Sequence, residues 1–534
     1  MIAAMAANDI LLVKAVDRAK AKSLDGETCE APLLPTQVQD ENIGAIEVED
    51  LERPTETAVS HHINSLLIKM SGWVFSDKDF QVIEKIIKGA AGFGQGIEVS
   101  SVSLGIAFLL VQRFHRCLPV PFSNNLVLRK GDLELPRIIY RFAFAAHGWA
   151  GLYAFGKRRD IISDAVNSQA NYRAVMEYLQ LEPQDMLVCD LDQNRLFRPN
   201  FYVAIDRRLS AVILSIRGTM SLRDTLTDLS CDYVAWNGGI AHSGIIAASQ
   251  WFLDNIGRQL LLFAEEYQMQ RIILTGHSLG AGTAAITTIM LTEKLKTSGS
   301  WPCTVGGRPL DIHCYAYGCP AIVSSDLAVR YSSIIDAFIF GDDIVPRLCY
   351  GTVIDLQILM VYAAEIRRAG DLMTAKEGSE LFQKLETCRR AILTGKGGVE
   401  NMKLWIPGTV HHIMTIKAPQ QRKYTVIDTC GAERFLELTL RKNMLRDHLP
   451  SRYERAFESA YVTYLLHELE ERQNSPSLSV SNLQQKMQTV VDAANSNLGE
   501  IADDSSIFPQ PPTPTLSEGS GNTVETITSV KIYK

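Results

Sequence analysis

Apolar residues recur along this chain in two rhythms, and the change from one to the other falls near residue 200. Between about residues 60 and 156 the spacing is helical: Ser76 can cap a helix whose apolar positions Phe80, Ile83, Ile86 and Ile87 return every three or four residues. Helices also suit Pro136 to Phe155. The apolar run from Ser101 to Val111 is about half the ~20 residues needed to cross a bilayer, and Gln112-Arg113 ends it, so it reads as a buried helix. After Phe201 short β-rich runs alternate with helical ones. Phe201–Ile205 and Ala211–Ile216 look like a strand pair, Ile272–Thr275 a buried strand, Ile312–Tyr317 and Ala337–Phe340 further strands, and Lys423–Ile427 another. Alternation of this kind predicts an α/β fold, with a mostly parallel sheet flanked by helices.

Length and composition sharpen that outline. A chain of 534 residues exceeds the roughly 250–300 at which one hydrophobic core stops growing, so one large domain with appendages is expected. From Ala21 to Ser60 there are ten acidic residues against two basic ones, prolines and no aromatics, which predicts a disordered acidic leader over 1–60. The end of the chain, from 473 to 534, is rich in Ser, Asn, Gln and Thr and carries Pro509-Gln510-Pro511-Pro512-Thr513-Pro514, a flexible low-complexity tail. Between them lie an α/β domain, 201–472, with an insertion at about 350–402, and a helical N-terminal region, 61–200, expected to pack on it.

The formal charge of -7 leaves no electrostatic footprint for nucleic acid. Ten cysteines are scattered singly, with no CxxC pair, and the start of the chain lacks a basic-then-apolar signal pattern. A reduced, cytoplasmic protein without a cysteine-held metal is expected, touching membranes peripherally.

The sharpest chemical signal is Gly276-His277-Ser278-Leu279-Gly280-Ala281-Gly282, with an apolar strand running into it and the helical, small-residue Thr283–Thr297 running out. A strand, a sharp turn and a helix are what a nucleophile elbow requires. Serine at the tip takes a strained backbone, a side chain at 276 or 280 would strike the neighbouring strand or helix, and the helix aims its positive end at a developing oxyanion. The alternative is a glycine-rich strand-to-helix turn with an incidental serine.

A nucleophilic serine needs an imidazole base, and the base needs a carboxylate to orient it. The chain order Ser, Asp, His leaves His411, His412, His448 and His467 as bases after the adjacent Asp342 and Asp343, which follow the strand-like Phe338-Ile339-Phe340. One donor to the oxyanion is the backbone N–H of Leu279, immediately after the serine.

The stretches Ile213-Leu-Ser-Ile-Arg217-Gly218-Thr219, Gly276 to Ala285, Gly341-Asp342-Asp343-Ile-Val-Pro346-Arg347 and Met444-Leu-Arg-Asp447-His448-Leu-Pro450 resemble the class 3 lipases. They look closest to the sn-1-specific diacylglycerol lipases, with weaker similarity back through Phe142-Ala-Phe-Ala-Ala-His147-Gly148-Trp149. The resemblance implies an α/β-hydrolase fold with Ser278 as nucleophile, Asp343 as acid and His448 as base. It also implies an oxyanion hole of Leu279 and Thr219 and, as substrate, a glycerolipid at a membrane surface. No cofactor is required, although members of the family can be stimulated by calcium. Animal diacylglycerol lipases carry an N-terminal four-helix membrane domain, where this chain shows an acidic leader and soluble-looking helices.

Three functions follow as expectations. The first is a diacylglycerol lipase releasing a fatty acid and a monoacylglycerol; the second is a broader acyl hydrolase, either a triacylglycerol lipase or a phospholipase A1; the third is a non-catalytic lipid-binding protein. In the diacylglycerol lipases the interval after the acid is a regulatory insertion over the active site. Here it contains Val353 to Ile366 followed by Arg367-Arg368, which reads as an amphipathic helix with Leu356, Leu359 and Met360 available to lipid. Ser221–Leu229 is the rival lid, and plain packing of the helix on the core is the third reading.

Overall fold

The computed structural model describes residues 101–120, 130–154, 170–191, 199–218, 233–299, 301–368, 370–395, 402–417 and 423–473. The acidic leader, the helix capped by Ser76, the Ser221–Leu229 segment, Thr219 and the tail from residue 474 lie outside them.

Eight strands form one sheet: β1 Met186–Asp190, β2 Phe201–Asp206, β3 Ala211–Ile216, β4 Arg271–His277, β5 Asp311–Tyr317, β6 Ile335–Phe340, β7 Thr409–Lys417 and β8 Lys423–Cys430. They lie side by side in sequence order. β3 through β7 run parallel, while β1, β2 and β8 are antiparallel to their neighbours. This is the α/β-hydrolase architecture. Each strand expected after Phe201 is present, and the sheet also begins earlier than residue 201, because Met186–Asp190 pairs with β2. That first strand is only five residues long, with two positions half-buried, so its apolar signal is weak.

Period-two alternation divides the strands between two cores. Val212, Leu214, Ile272 and Leu274 face one side, and Ile213 and Ile273 face the other. The first side is covered by α3, Leu279–Thr297, and by the helix Ser243–Phe252. The second is covered by α2, Lys130–Ala145, and by α6, Pro450–Gln473. The N-terminal run Ser101–Val111 is helical, as expected, and extends to Cys117 as α1.

The insertion departs from expectation. Its helix α4, Tyr350–Ile366, is apolar nearly all round rather than amphipathic, and such a helix is buried. Leu356, Leu359 and Met360, which the lid reading would set against lipid and the packing reading in the core, are at most 4 % exposed. They form a third core with α1 and with α5, Glu380–Leu393, joined by Ile344, Val345, Met444 and Leu445 from the segments beside Asp343 and His448. The reason is supply of partners: α1 lies far away in sequence and brings a second apolar surface that periodicity within the insertion could not reveal. No helix among the described residues is long and apolar enough to cross a membrane.

Candidate active site

The parallel strands end on one edge of the sheet, and the turns that leave them carry the chemistry. β4 ends at His277 and α3 begins at Leu279, so Ser278 is the hinge between them. Its φ of 60° and ψ of -129° lie in territory a serine avoids unless its surroundings impose it. They do so here: the Ser278 N–H donates to the Tyr317 carbonyl at 2.9 Å, and the Ser278 carbonyl accepts from Ala281 at 2.9 Å.

The glycines at 276 and 280 meet the steric demand anticipated for them. A Cβ on Gly280 would sit 2.3 Å from the Ile216 carbonyl oxygen, and one on Gly276 would sit 2.5 Å from the Gly280 carbonyl carbon. Strand and helix therefore approach backbone to backbone, which places the Leu279 N–H in the first turn of α3 beside the serine. The Arg217-Gly218 turn adjoins the same spot, since a Cβ on Gly218 would lie 3.2 Å from the Ser278 Cβ.

His448 bridges the serine and the acid. Its Nε2 lies 2.8 Å from Ser278 Oγ, and its Nδ1 lies 2.9 Å from both carboxylate oxygens of Asp343. All three side chains are buried. Asp343 also accepts the Val345 N–H at 2.9 Å and the Tyr453 hydroxyl at 2.5 Å, so hydrogen bonds hold its carboxylate on three sides. Burial, and then Asp343 itself, push the Tyr453 phenol well above its ordinary range, which keeps it a donor. Such an array can take a proton from Ser278 Oγ into the imidazole, with the carboxylate balancing the positive charge.

The other histidines weighed as bases have other work. His411 bonds Thr429 through Nδ1 and Asp336 through Nε2, both at 2.9 Å, on the sheet. His412 Nε2 donates to the Gly341 carbonyl at 2.8 Å, and burial pushes its imidazole down to about 3. The side chain of His467 lies outside the description. Asp342, the runner-up acid, contributes its backbone N–H to Asp447 rather than a carboxylate to His448.

Sequence reasoning did not single out Tyr453, Asp447 or the histidine layer behind the base. The His277 ring packs 4.7 Å from the His448 ring, and the His147 ring packs 5.8 Å from His277. Burial drives His277 well below the ordinary imidazole range and His147 down to about 3. Both are therefore neutral near pH 7, and neither adds a second positive charge beside the base. The signals were present: His147 stands in the Phe142–Trp149 segment and Asp447 in the Met444–Pro450 segment, but nothing in either says what its side chain reaches.

Residues 213–352 match the family model described as lipase (class 3). Over 252 residues, 42% of this chain and 35% of the relative, the chain is 32% identical to diacylglycerol lipase-beta of Mus musculus. It is 31% identical to diacylglycerol lipase-alpha of Homo sapiens over 170 residues, 29% of this chain and 15% of that one. The matched stretch thus spans about a third or less of the length of these curated relatives. A lipase from Rhizopus microsporus var. chinensis overlays with a TM-score of 0.37 at 15% identity, covering 62% of this chain and 91% of that one, too loose to add weight. From β3 through the serine elbow to the turn of Asp343 and the start of α4, residues 213–352 match the class 3 lipase model, and the chain that carries them is similar to the diacylglycerol lipases over part of their length.

Proposed function

We propose that the chain is a serine lipase hydrolysing an acyl ester of diacylglycerol to a monoacylglycerol and a free fatty acid. The observation that carries this reading is the continuous hydrogen-bonded line from Ser278 Oγ through His448 to Asp343, with the serine on a strained turn at a helix N-terminus. His448 takes the Ser278 proton as Oγ attacks the acyl carbonyl carbon. The tetrahedral oxyanion is held by the Leu279 N–H and by Thr219, the residue that follows Gly218 in sequence, a donor whose loss typically costs about 3 kcal/mol. The C–O bond to glycerol then breaks, His448 gives the proton to the glycerol oxygen, and water repeats the sequence on the acyl-enzyme. No metal or organic cofactor enters these steps.

Diacylglycerol is favoured over other acylglycerols by the similarity to diacylglycerol lipases, and the triad itself is indifferent to the choice. The proposal includes a cytoplasmic protein held at the membrane surface without crossing it.

The test is turnover of purified protein on diacylglycerol, triacylglycerol, monoacylglycerol and phosphatidylcholine, with Ser278→Ala as control and a fluorophosphonate as label. Diacylglycerol is expected to be the best substrate, and Ser278→Ala is expected to lose both labelling and essentially all hydrolysis. Preference for triacylglycerol or phosphatidylcholine would move the reading to a broader acyl hydrolase. Labelling that persists at another serine would remove Ser278 from its role.

A further inference from the structure

Asp447 precedes the base in sequence, is 5 % exposed, and reaches across 105 residues to the turn that carries the acid. Its Oδ2 accepts the Asp342 N–H at 3.1 Å. The same oxygen lies over the Cα of Gly341, where an added Cβ would be 2.5 Å away. Gly341 has a φ of 56° and is held from the other side by β7, its N–H donating to the Ile413 carbonyl at 2.9 Å and its carbonyl accepting from His412 Nε2 at 2.8 Å. The acid turn is therefore gripped between β7 and the Asp447 carboxyl.

A buried carboxyl is an expensive way to hold a turn. Burial, and then the charge of Asp342, raise it to about 7. Asp343 adds like charge from the acid turn. The opposing group from α6 is Arg452, whose guanidinium is 3.8 Å away, too long for a direct hydrogen bond. On its own turn Asp447 is flanked by Arg446 and by the base, His448. A serine, asparagine or backbone group could have accepted one N–H at far smaller desolvation cost.

We propose that Asp447 is a positioning residue, a strut that ties the turn bearing Asp343 to the turn bearing His448 and so sets the geometry of the carboxylate–imidazole pair. This rests on the reading of Ser278, His448 and Asp343 as the catalytic triad. Without the strut, the two turns keep the Ile344 N–H to Met444 carbonyl bond at 3.1 Å but lose the tie that adjoins the base, so the His448 end can shift against the Gly341–Asp343 turn, and a shift of about 1 Å costs on the order of a hundredfold in turnover. The amide oxygen of an asparagine can accept the same N–H, so Asp447→Asn keeps the strut and discards the charge. Gly341→Ala does the reverse, displacing the carboxyl while keeping it.

The experiment measures kcat and KM of the full chain on a soluble short-chain ester across pH, with fluorophosphonate labelling rates and melting temperatures for the same proteins. Asp447→Ala and Gly341→Ala should each lower kcat by about tenfold to a hundredfold with KM within about twofold. Asp447→Asn should restore kcat to within about threefold. Undiminished kcat in Asp447→Ala overturns the strut. So does an Asp447→Asn protein as impaired as Asp447→Ala. If Asp447→Ala does not fold, Gly341→Ala decides, and a kcat within twofold of wild type overturns the proposal. Labelling that survives in Ser278→Ala would bring down the triad reading itself, whereas a dead Ser278→Ala beside an unimpaired Asp447→Ala brings down the strut alone.

Discussion

Replacing Tyr453 by phenylalanine removes one oxygen atom from the site and little else. The phenol is fully buried, and its ring would keep its neighbours: Tyr140 stacked at 6.0 Å, His277 edge-on at 5.3 Å and Phe340 at 6.1 Å. What disappears is the hydroxyl donor on Asp343 Oδ2. Asp343 has no solvent exposure, so water has no route to replace that donor. A hydrogen bond to a charged group contributes about 1.5–3 kcal/mol, and each ~1.4 kcal/mol is a factor of ten in rate. Part of the loss falls on folding and part on the aim of the carboxylate at the imidazole. The Val345 N–H remains to hold the other oxygen. The expected outcome is a kcat about tenfold lower on a soluble ester, KM unchanged, and a melting temperature lower by about 3–6 °C. Stopped-time ester assays and thermal melts of wild type and Tyr453→Phe side by side read both. A variant with kcat within twofold of wild type and an unshifted melt would refute the claim that the hydroxyl holds the acid.

Three further outcomes are expected. Gly280→Ala places a Cβ about 1 Å inside ordinary contact with the Ile216 carbonyl, so α3 must back away, and fluorophosphonate labelling should slow by about a hundredfold or the protein should fail to fold; labelling at the wild-type rate would contradict the close approach. Because the folded carboxyl of Asp447 titrates near 7 while an unfolded one titrates near ~3.9, the native state binds the extra proton between those values and wild type loses stability as pH rises through them. The melting temperature of Asp447→Asn should therefore gain on wild type from about pH 4 to about pH 7 and hold a constant lead above, and a lead that does not grow would show the group to be ionised throughout. Met360→Ala should cost about 2–5 kcal/mol of stability, measured by denaturant melts, and depress soluble-ester and vesicle activities together, whereas a selective loss on vesicles would return Met360 to a lipid-facing role.

Much of this protein is local and could be read directly. The strands β2 to β6 and β8 announce themselves through short runs of apolar, β-branched and aromatic residues bounded by turns. The elbow is legible because only glycine at 276 and 280 lets a strand and a helix meet backbone to backbone on either side of Ser278. Resemblance in four separated segments then pointed to His448 and Asp343 among several residues of the same type. Tertiary structure decided the rest, in each case because the deciding partner is distant in sequence. The helix α4 became core because α1, about 250 residues earlier, covers it. Tyr453 and Asp447 matter through contacts 110 and 105 residues away, on a turn whose approach no periodicity encodes. His277 could be seen as the residue before the serine, but only packing shows that burial keeps it neutral against the base. Short-range spacing specifies elements and strained turns; which side chain meets which across the top of the sheet is set by the order in which the strands are laid down.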